Sequence, residues 1–476
     1  MRHLVLVSIF SAAVSVSASG GFAQETGTEQ YNDGGVYTGT FREGKRDGQG
    51  TYILPNGYEY TGNWTEGEIS GQGTARFPNG SLYEGQFAAG KPNGFGKLIS
   101  ADGSTYEGDW DAGRITGRGV ATYANGVRYE GQFRNSQPHG TGVMISPNGY
   151  RYEGQWVDGV KEGQGNITYP DGGVYSGDMK AGVREGVGSL KMSDGLVYEG
   201  TWRNGQIEGE GKLTQSNGEV YEGTFVAGSR EGEGKMTYSN GDIYVGEFKG
   251  DTRDGQGKFT GTDGFVYAGA WVEGRIQGKG EVTYPDGSVY VGDFRDDLAD
   301  GTGIITYPDG STYEGQWIGG VIEGQGVAIY ANGLIYEGSF KNAKLDGAGK
   351  MTYPDGLIYD GNWADGVRSG DGTATYPNGT VYTGEFKDDQ RDGQGTLTLE
   401  DGFSYTGDWE AGLMTGQGKM VYASGDVYEG EFLNGKRHGQ GTLNYVTGEV
   451  ADGEWDEGLL KSAIDEAETT SESSDN

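Results

Sequence analysis

A unit of 23 residues that begins at Tyr37 repeats eighteen times in this chain of 476 residues, without an insertion or a deletion. Residues 152–174 form one copy, which reads YEGQWVDGVKEGQGNITYPDGGV, and a broken nineteenth copy begins at Ala451. A fixed period of this length is typical of repeat proteins, in which each unit buries its apolar face only against its neighbours. The period predicts one continuous array over residues 37–458 and argues against an enzyme with a central pocket.

The spacing of Gly and aromatic residues within the unit predicts β-strands. We number positions from the opening Tyr, which is position 0. Gly fills positions 2, 11, 13 and 20 of all eighteen copies, and position 4 is Phe or Trp in all but one. Positions 0, 2 and 4 share one parity, as do positions 11, 13, 15 and 17, and residues of equal parity lie on one face of a strand. We therefore predict an all-β fold, an elongated, twisted antiparallel meander of eighteen complete β-hairpin repeats and one partial repeat.

Two kinds of connection should join these strands. Segments such as Pro170-Asp171-Gly172 predict tight turns, because Pro presets φ, Asp bonds its own backbone and Gly accepts a positive φ. Positions 5 to 10, Val157–Glu162 in the same copy, predict a longer tip at the other end of each hairpin.

The core has to come from aromatic rings. Hydrophobic residues make up 33 % of the chain and 70 acidic residues stand against 36 basic ones, which by composition alone is typical of disorder. Each aromatic side chain can bury roughly 150–250 Å², and a flat ring can cover the bare backbone of a neighbouring Gly. We therefore predict a core of stacked rings. The structural aromatics include Tyr37, Phe41, Trp64, Trp110, Trp156, Trp202, Trp271, Trp317, Trp363 and Trp409.

A second period of 46 residues lies within the first. Trp and Phe alternate at position 4 along most of the chain, and position 9 changes with them: it is usually apolar in Trp copies and more often Arg in the others. The apolar residues allow two interpretations, since they either pack against a neighbouring tip or form a sticky stripe for a partner. The candidate interaction tips are Ile69, Ile115, Ile207, Ile276 and Ile322.

The two ends of the chain differ from the array. Residues 1–23 have a basic start, an apolar run and small residues before a cleavage site, which is the layout of a secretory signal peptide. A retained membrane anchor is the alternative, although the run is short for a transmembrane span. We expect a linker over residues 24–36. Over residues 459–476 we expect a capping segment, with a short helix over Leu459–Ala467, and a disordered acidic tail. The protein should be exported, to the periplasm or out of the cell.

Motifs for catalysis are missing from the sequence. The chain has no Cys and three His residues, and its Gly-x-Gly strings are not followed by the Lys-Ser or Lys-Thr of a phosphate-binding loop. We therefore expect no enzyme, no cofactor and no metal site. A row of acids at position 1 is spaced too widely for one cation and is better interpreted as a solvated face; its members are Glu84, Glu107, Glu130 and Glu153. The sharper candidates for a divalent cation are the pairs Asp296-Asp297 and Asp388-Asp389.

The net charge of −34 limits the partners. Nucleic acid and anionic lipid both need a positive footprint on the protein. The sequence therefore predicts no binding of nucleic acid and makes direct binding to anionic lipid unfavourable.

The pattern Tyr-x-Gly-x-Phe/Trp-x-x-Gly-x-x-x-Gly-x-Gly resembles the MORN repeat, the membrane occupation and recognition nexus motif. In one copy it is carried by Tyr152, Gly154, Trp156, Gly159, Gly163 and Gly165. The resemblance covers residues 37–458 and implies a coiled antiparallel sheet with a scaffolding or tethering role. Gly at position 7 is lost in five copies, and the acidity of the chain departs from the lipid binding ascribed to some members of the family.

Three functional hypotheses follow. The first is a non-enzymatic exported scaffold that recognises protein partners along its aromatic face or its tips. The second is a binder of glycans or of the cell envelope, since exposed Tyr and Trp rows stack on sugars as readily as on each other. The third is direct association with a membrane. The sequence leaves open whether the chain forms a homo-oligomer, and it does not name the partner.

Overall fold

The computed structural model describes residues 24–461, and within this range the regular structure consists of β-strands without a helix. The predicted signal peptide and the acidic tail beyond Lys461 lie outside the described residues. The strands form one long, open antiparallel sheet of 39 strands, which confirms the predicted fold class. The described residues fall into two compact units, residues 24–216 with 225–228 and residues 217–224 with 229–461.

The strands follow one another along the chain at nearly constant length. Up to residue 216 they are β1 Glu25–Gln30, β2 Val36–Arg42, β3 Lys45–Ile53, β4 Glu59–Thr65, β5 Glu68–Arg76, β6 Leu82–Ala88, β7 Lys91–Ile99, β8 Thr105–Asp111, β9 Arg114–Thr122, β10 Arg128–Arg134, β11 Gln137–Ile145, β12 Arg151–Val157, β13 Val160–Thr168, β14 Val174–Lys180, β15 Val183–Lys191, β16 Val197–Arg203 and β17 Gln206–Thr214. Beyond residue 216 they are β18 Val220–Val226, β19 Ser229–Thr237, β20 Ile243–Lys249, β21 Thr252–Thr260, β22 Val266–Val272, β23 Arg275–Thr283, β24 Val289–Arg295, β25 Leu298–Thr306, β26 Thr312–Ile318, β27 Val321–Ile329, β28 Ile335–Lys341, β29 Lys344–Thr352, β30 Ile358–Ala364, β31 Val367–Thr375, β32 Val381–Lys387, β33 Gln390–Thr398, β34 Ser404–Glu410, β35 Leu413–Val421, β36 Val427–Leu433, β37 Lys436–Asn444, β38 Val450–Asp456 and β39 Leu459–Leu460.

Each repeat is a hairpin of a seven-residue strand and a nine-residue strand, such as β12 and β13. In this hairpin Tyr152 pairs with Ile167 and Gly154 with Gly165. Because directly opposed residues share a face, the aromatic and Gly positions of both strands line one side of the sheet. The polar positions line the other side, as the alternation predicts.

The predicted longer tip at Val157–Glu162 is wrong, because β12 and β13 are joined by two residues only. Asp158 and Gly159 both have positive φ, 46° and 84°, which is typical of a type I′ hairpin turn. The remaining residues form a β-bulge: between the pairs Gly154–Gly165 and Trp156–Lys161, one residue lies on β12 and three lie on β13. The bulge contains Gly163, whose φ is +66°.

The core lies on the aromatic face. Tyr152 is fully buried, and its hydroxyl donates to the carbonyl oxygen of Gln155 at 2.9 Å. Its ring covers Gly165 so closely that a Cβ there would lie 2.5 Å from the ring, which explains why position 13 is always Gly. Trp156 Nε1 donates to the carbonyl oxygen of Gly142 in the preceding repeat at 3.3 Å. The rings therefore join consecutive repeats.

The structure differs from the sequence expectations at both ends of the array. Residues predicted as a linker contain β1, which pairs with β2 from Glu25–Phe41 to Gln30–Val36. Gly27, Tyr31 and Gly34 stand where positions 13, 17 and 20 of a preceding copy would fall, so this segment is half a repeat. At the other end Leu459–Leu460 forms the strand β39 against β38 and does not begin a helix.

Candidate interaction surfaces

The five candidate Ile residues at position 9 lie beside the aromatic core, not at the ends of the hairpins. Ile115 pairs with Trp110, and Ile276 pairs with Trp271, so each shares the face of its ring. Ile276 is buried, with 6 % of its surface exposed, and Ile69, Ile115, Ile207 and Ile322 are half-buried. Their positions match the packing interpretation better than an outward-facing stripe.

Arginine at position 9 makes a contact that the sequence alone did not reveal. The guanidinium carbon of Arg253 lies 4.0 Å from the centre of the Trp271 ring in the next repeat, and its Nη2 donates to the carbonyl oxygen of Gly274 at 2.8 Å. Four other repeats place Arg over the next Trp in the same way, with Arg46, Arg184, Arg391 and Arg437. Five of the nine Trp residues therefore have a cation–π contact with the repeat before them, which explains part of the 46-residue period.

Where the next repeat has Phe and not Trp at position 4, an Asp at position 7 of that next repeat takes part in the contact with the Arg. Arg230 lies 5.6 Å from the Phe248 ring, and its Nε donates to Asp251 Oδ1 at 3.1 Å. Arg368 uses Asp389 in the same way. The Asp residues at position 7 therefore serve contacts between repeats.

The acidic pairs proposed for a divalent cation have other partners. Asp297 Oδ1 accepts a hydrogen bond from the backbone N–H of Ile276 at 2.7 Å, and Asp296 pairs with Arg275. Three carboxylates of the position 1 row lie near cations, with Glu107 at 3.8 Å from Lys97 and Glu130 and Glu153 at 2.6 Å from Arg128 and Arg151, respectively. In residues 24–461 no group of three or more acidic or His side chains is placed to hold a metal ion.

The exposed apolar residues of the hairpin ends stand at positions 5 and 8, on either side of the two-residue turn. Their exposed fractions run from 41 to 63 %. We call this set the tip row: Val157, Val160, Val183, Val226, Val272, Leu298, Ile318, Val321, Leu413 and Leu433. Positions 5 and 8 do not stand out in the sequence, because residue types alone predict a longer turn there.

Many of the two-residue turns carry an acid. Position 6, the first residue of the turn, has a positive φ throughout the array, and in eight repeats it is Asp or Glu. These residues are Glu43, Glu66, Asp158, Glu273, Asp296, Asp365, Asp388 and Glu457. Positions 5 and 8 also carry Lys or Arg in many repeats, as at Arg275 and Lys436, so the tip edge combines aliphatic side chains with charges of both signs.

The rings at positions 0 and 4 of the aromatic face are closed to ligands. The Trp rings at position 4 expose no more than 8 % of their surface, and the opening Tyr residues are buried as well. Burial raises the pKa of Tyr152 to about 12, because the phenolate would lose its hydration. Rings packed in this way cannot stack on a sugar. The Tyr residues at position 17 lie on the same face and are more exposed, as Tyr123 is with 41 % of its surface.

The polar face forms a groove of about 1180 Å³ in the first unit. Side chains of β7 to β14 line it, among them Phe95, Arg118, Gln132, Glu153 and Asn166. Across residues 24–461 no helix is present that is long and apolar enough to cross a membrane.

The family model for the MORN repeat matches this chain in eighteen consecutive segments, which are residues 37–57, 60–82, 83–105, 106–128, 129–149, 152–174, 175–197, 198–220, 221–243, 244–266, 267–289, 290–312, 313–335, 336–358, 359–381, 382–403, 405–427 and 428–450. The chain belongs to the MORN-repeat family. The matched segments have the 23-residue period that the sequence predicts, and each begins at the opening Tyr of a repeat. No curated protein matches the chain.

Solved structures with some similarity include the TCP10 domain of Danio rerio CPAP in complex with a peptide of STIL, at 15 % identity and a TM-score of 0.18 over 56 % of this chain and 94 % of that one. The TCP domain of Drosophila melanogaster SAS-4 with a proline-rich motif of Ana2 has 15 % identity and a TM-score of 0.18 over 41 % and 86 % of the two chains. A streptogramin B lyase has 12 % identity and a TM-score of 0.11 over 61 % and 90 %. These TM-scores are too low to bear on fold or function.

Proposed function

We propose that this MORN-repeat chain is an exported, non-enzymatic scaffold that binds a protein partner through the tip row. The observation that carries the proposal is the recurrence of exposed aliphatic side chains at the same two positions of the hairpin: ten of them fall in eight repeats, four in the first unit and six in the second. Exposed apolar residues that lie in a row, and not singly, are typical of surfaces that bind other proteins.

The geometry of the second unit gives the clearest segment of this surface. Ile318 and Val321 face each other across one turn. Leu298 belongs to the preceding hairpin, and its Cδ2 lies within 3.6 Å of the place where a Cβ on Gly320 would stand. The three side chains therefore form one apolar patch that bridges two repeats. Such a patch can fill a hydrophobic groove or accept a hydrophobic ridge of a partner.

The net charge of the chain limits the kind of partner that this patch can bind. Next to the patch, Asp296 pairs with Arg275 and Arg295 stands opposite Leu298, so charges of both signs surround it. The net charge of −34 provides a long-range negative field. A partner with apolar side chains flanked by Lys or Arg would associate faster and would be favoured over acidic competitors.

Export is part of the proposal and rests on the layout of residues 1–23. Amino-terminal sequencing of the protein recovered outside the cytoplasm should give a chain that begins at Gln24. A full-length chain retained in the membrane fraction would contradict this part of the proposal and leave the tip row untouched.

The partner-binding test compares two triple variants of the same size and chemistry. The first changes Leu298, Ile318 and Val321 of the tip row to Ser. The control changes Val245, Val291 and Ile304 to Ser, three aliphatic residues of the polar face in the same unit that are 42–49 % exposed. Crosslinking mass spectrometry on the exported protein, followed by pull-down, identifies the partner. We expect the affinity for the partner to fall on the order of a hundredfold in the tip variant and to stay unchanged in the control.

Two results would contradict the proposal. One is a tip variant that retains its circular dichroism spectrum and recovers the partner as well as the native chain. The other is a partner whose crosslinks fall only on the polar face, together with loss of binding in the control variant.

A further inference from the structure

The groove on the polar face holds a second surface that the tip row does not use. Two rows of side chains line it, one at positions 3 and 12 and the other at positions 1 and 14, and the rows cross strands spaced about 4.8 Å apart. In strand order the groove residues of the first row are Phe95, Arg118, Gln132, Thr141, Gln155 and Gln164, and those of the second are Lys97, Glu107, Val120, Glu130, Val143, Glu153, Asn166 and Ser176.

We propose that this groove binds a neutral oligosaccharide. The inference goes beyond the tip-row scaffold, since it concerns a polar surface of the first unit and not the aliphatic side chains of the tip row. It rests on the polar groups of the rows, on the pairing of their Glu residues with cations and on one exposed aromatic ring.

The rows offer hydrogen-bond donors and acceptors at regular intervals. Gln132 Oε1 accepts a hydrogen bond from the backbone N–H of Thr141 at 3.0 Å, which fixes the amide and leaves its NH₂ group without a partner among the described residues. Ser176 Oγ and Asn166 Oδ1 lie 2.6 Å apart, so the Asn166 amide is oriented as well. Sugar hydroxyls both donate and accept, and pre-oriented amides match them at little cost in side-chain entropy.

The three Glu residues that line the groove are all paired with cations. Glu107 pairs with Lys97, Glu130 with Arg128 and Glu153 with Arg151. Asp109 Oδ2 accepts a hydrogen bond from the backbone N–H of Arg118 at 2.9 Å, whereas the Arg118 guanidinium has no ion pair among the described residues and keeps its donors available. A surface of this kind offers no net attraction for a polyanion such as nucleic acid, whereas a neutral ligand can use the carboxylates as acceptors and Arg118 as a donor.

Phe95 breaks the polar pattern of its row. It stands at position 12, where other repeats have residues such as Arg118, Thr141 and Gln164, and 56 % of its surface is exposed. An exposed ring on an otherwise polar wall provides a flat apolar platform, and the face of a sugar ring presents C–H groups that suit it. Ligand sites commonly combine such an apolar surface with a few placed polar groups.

A peptide suits the groove less well. Each strand from β7 to β14 is paired on both sides, so none has a free edge to which a peptide strand can add. The apolar lining consists of three side chains, Phe95, Val120 and Val143, spread over strands β7 to β11, and it does not form a deep pocket for an anchor residue.

The test measures oligosaccharide binding to the chain from Gln24 onward. A glycan array selects among neutral oligosaccharides, and isothermal titration calorimetry with cellohexaose, maltohexaose and chitohexaose measures affinity. Phe95→Ala and Arg118→Ala are each expected to weaken binding on the order of tenfold. The matched control is Val187→Ala, since Val187 also occupies position 12, is 66 % exposed and is not among the groove residues.

Each outcome decides the proposal. Binding that weakens in Phe95→Ala and Arg118→Ala but not in Val187→Ala supports it, provided that the circular dichroism spectra stay the same. No binding to any neutral oligosaccharide at millimolar concentration overturns it, and so does binding that both groove variants retain in full. The tip-row variant should bind the sugar as the native chain does, so failure of either proposal leaves the other testable.

Discussion

At the scale of single residues, Gly and the aromatic residues of this chain serve one contact. A ring at position 0 lies over the bare backbone of position 13, and Tyr60 shows this with Gly73, where an added Cβ would lie 2.3 Å from the phenol oxygen. Any larger residue at position 13 would push the ring off the sheet, which costs packing throughout the repeat. The same ring meets the aromatic residue of the next repeat edge to face: the centroids of Tyr60 and Phe87 are 5.1 Å apart. One contact thus builds both the hairpin and the interface between hairpins.

The Arg residues at position 9 strengthen that interface, and Arg253 allows the effect to be measured. We expect Arg253→Met to lower the free energy of local opening around Trp271 by about 1–2 kcal/mol, because it removes the cation–π contact and the hydrogen bond to Gly274. Hydrogen exchange of the amides in β21 and β22 measures the change. Local exchange is preferable to a global melting curve, since long repeat arrays do not unfold in two states.

Arg275 is the control for that measurement. Its guanidinium is exposed and pairs with Asp296 at 3.1 Å without a Trp ring beneath it. An exposed ion pair contributes little, so Arg275→Met should change the exchange by less than about 0.5 kcal/mol. Equal effects of the two substitutions would show that charge alone, and not the stacked position of Arg253, stabilises the interface.

At the scale of the hairpin, the sequence predicts the strands but not the tip. Parity and the Gly-aromatic pattern suffice for two strands per repeat, because each position repeats eighteen times and chance matches cancel. The tip depends on backbone conformations that residue types indicate only weakly: position 6 has a positive φ whether it is Asp158, Ala181 or Asn204. Nor does parity reveal a bulge, which shifts the register within the strand. Because the turn conformation and the bulge are not visible in the sequence, the sequence predicts the exposed tip residues at position 9, whereas the structure has them at positions 5 and 8.

The turn conformation leads to a prediction about stability. Ala112, Ala181 and Ala411 adopt φ of 45°, 51° and 48° at the first turn position, where Asn is tolerated better than Ala. Changing each to Asn should raise the free energy of local opening of its hairpin by about 0.5–1 kcal/mol per site, measured by hydrogen exchange of the amides that flank the turn. Ala101→Asn is the control, since this exposed turn residue is not among those with positive φ. A gain of the same size at Ala101 would mean that polarity, and not backbone conformation, is responsible.

At the scale of the whole molecule, every repeat compensates in the same way for a composition that is unfavourable for folding. Aliphatic residues are scarce, and acids outnumber bases by 70 to 36. The acids are therefore placed on the turns and the polar face, as Asp158 and Glu153 are, while the rings fill the other face. Groove and tip row are two products of the same repeat with different exposed chemistry. Neither surface could be predicted from the sequence, because each depends on which odd-numbered positions and turn positions of the repeat stay exposed after the hairpins pair.

The buried phenols make the fold sensitive to alkali. Burial raises the pKa of twelve opening Tyr residues from 10.0 to about 12; they are Tyr83, Tyr129, Tyr152, Tyr175, Tyr198, Tyr267, Tyr290, Tyr313, Tyr336, Tyr359, Tyr382 and Tyr428. A raised pKa means that the folded chain holds the proton more tightly than the unfolded chain does. The stability from these phenols is thus complete below the unfolded pKa of about 10 and is lost as the pH rises through about 12.

We therefore expect the protein to stay folded up to about pH 10 and to unfold between about pH 10 and 12. Phenolate absorbance and the β-sheet signal in circular dichroism are followed in one titration. The absorbance of the opening Tyr residues should change together with the sheet signal, because each of these phenols can ionise only when its ring leaves the Gly backbone. The titration should reverse when the pH is lowered again. Ionisation of most phenols near pH 10 with an unchanged sheet signal would contradict the prediction, since it would mean that the rings reach water while the hairpins remain paired.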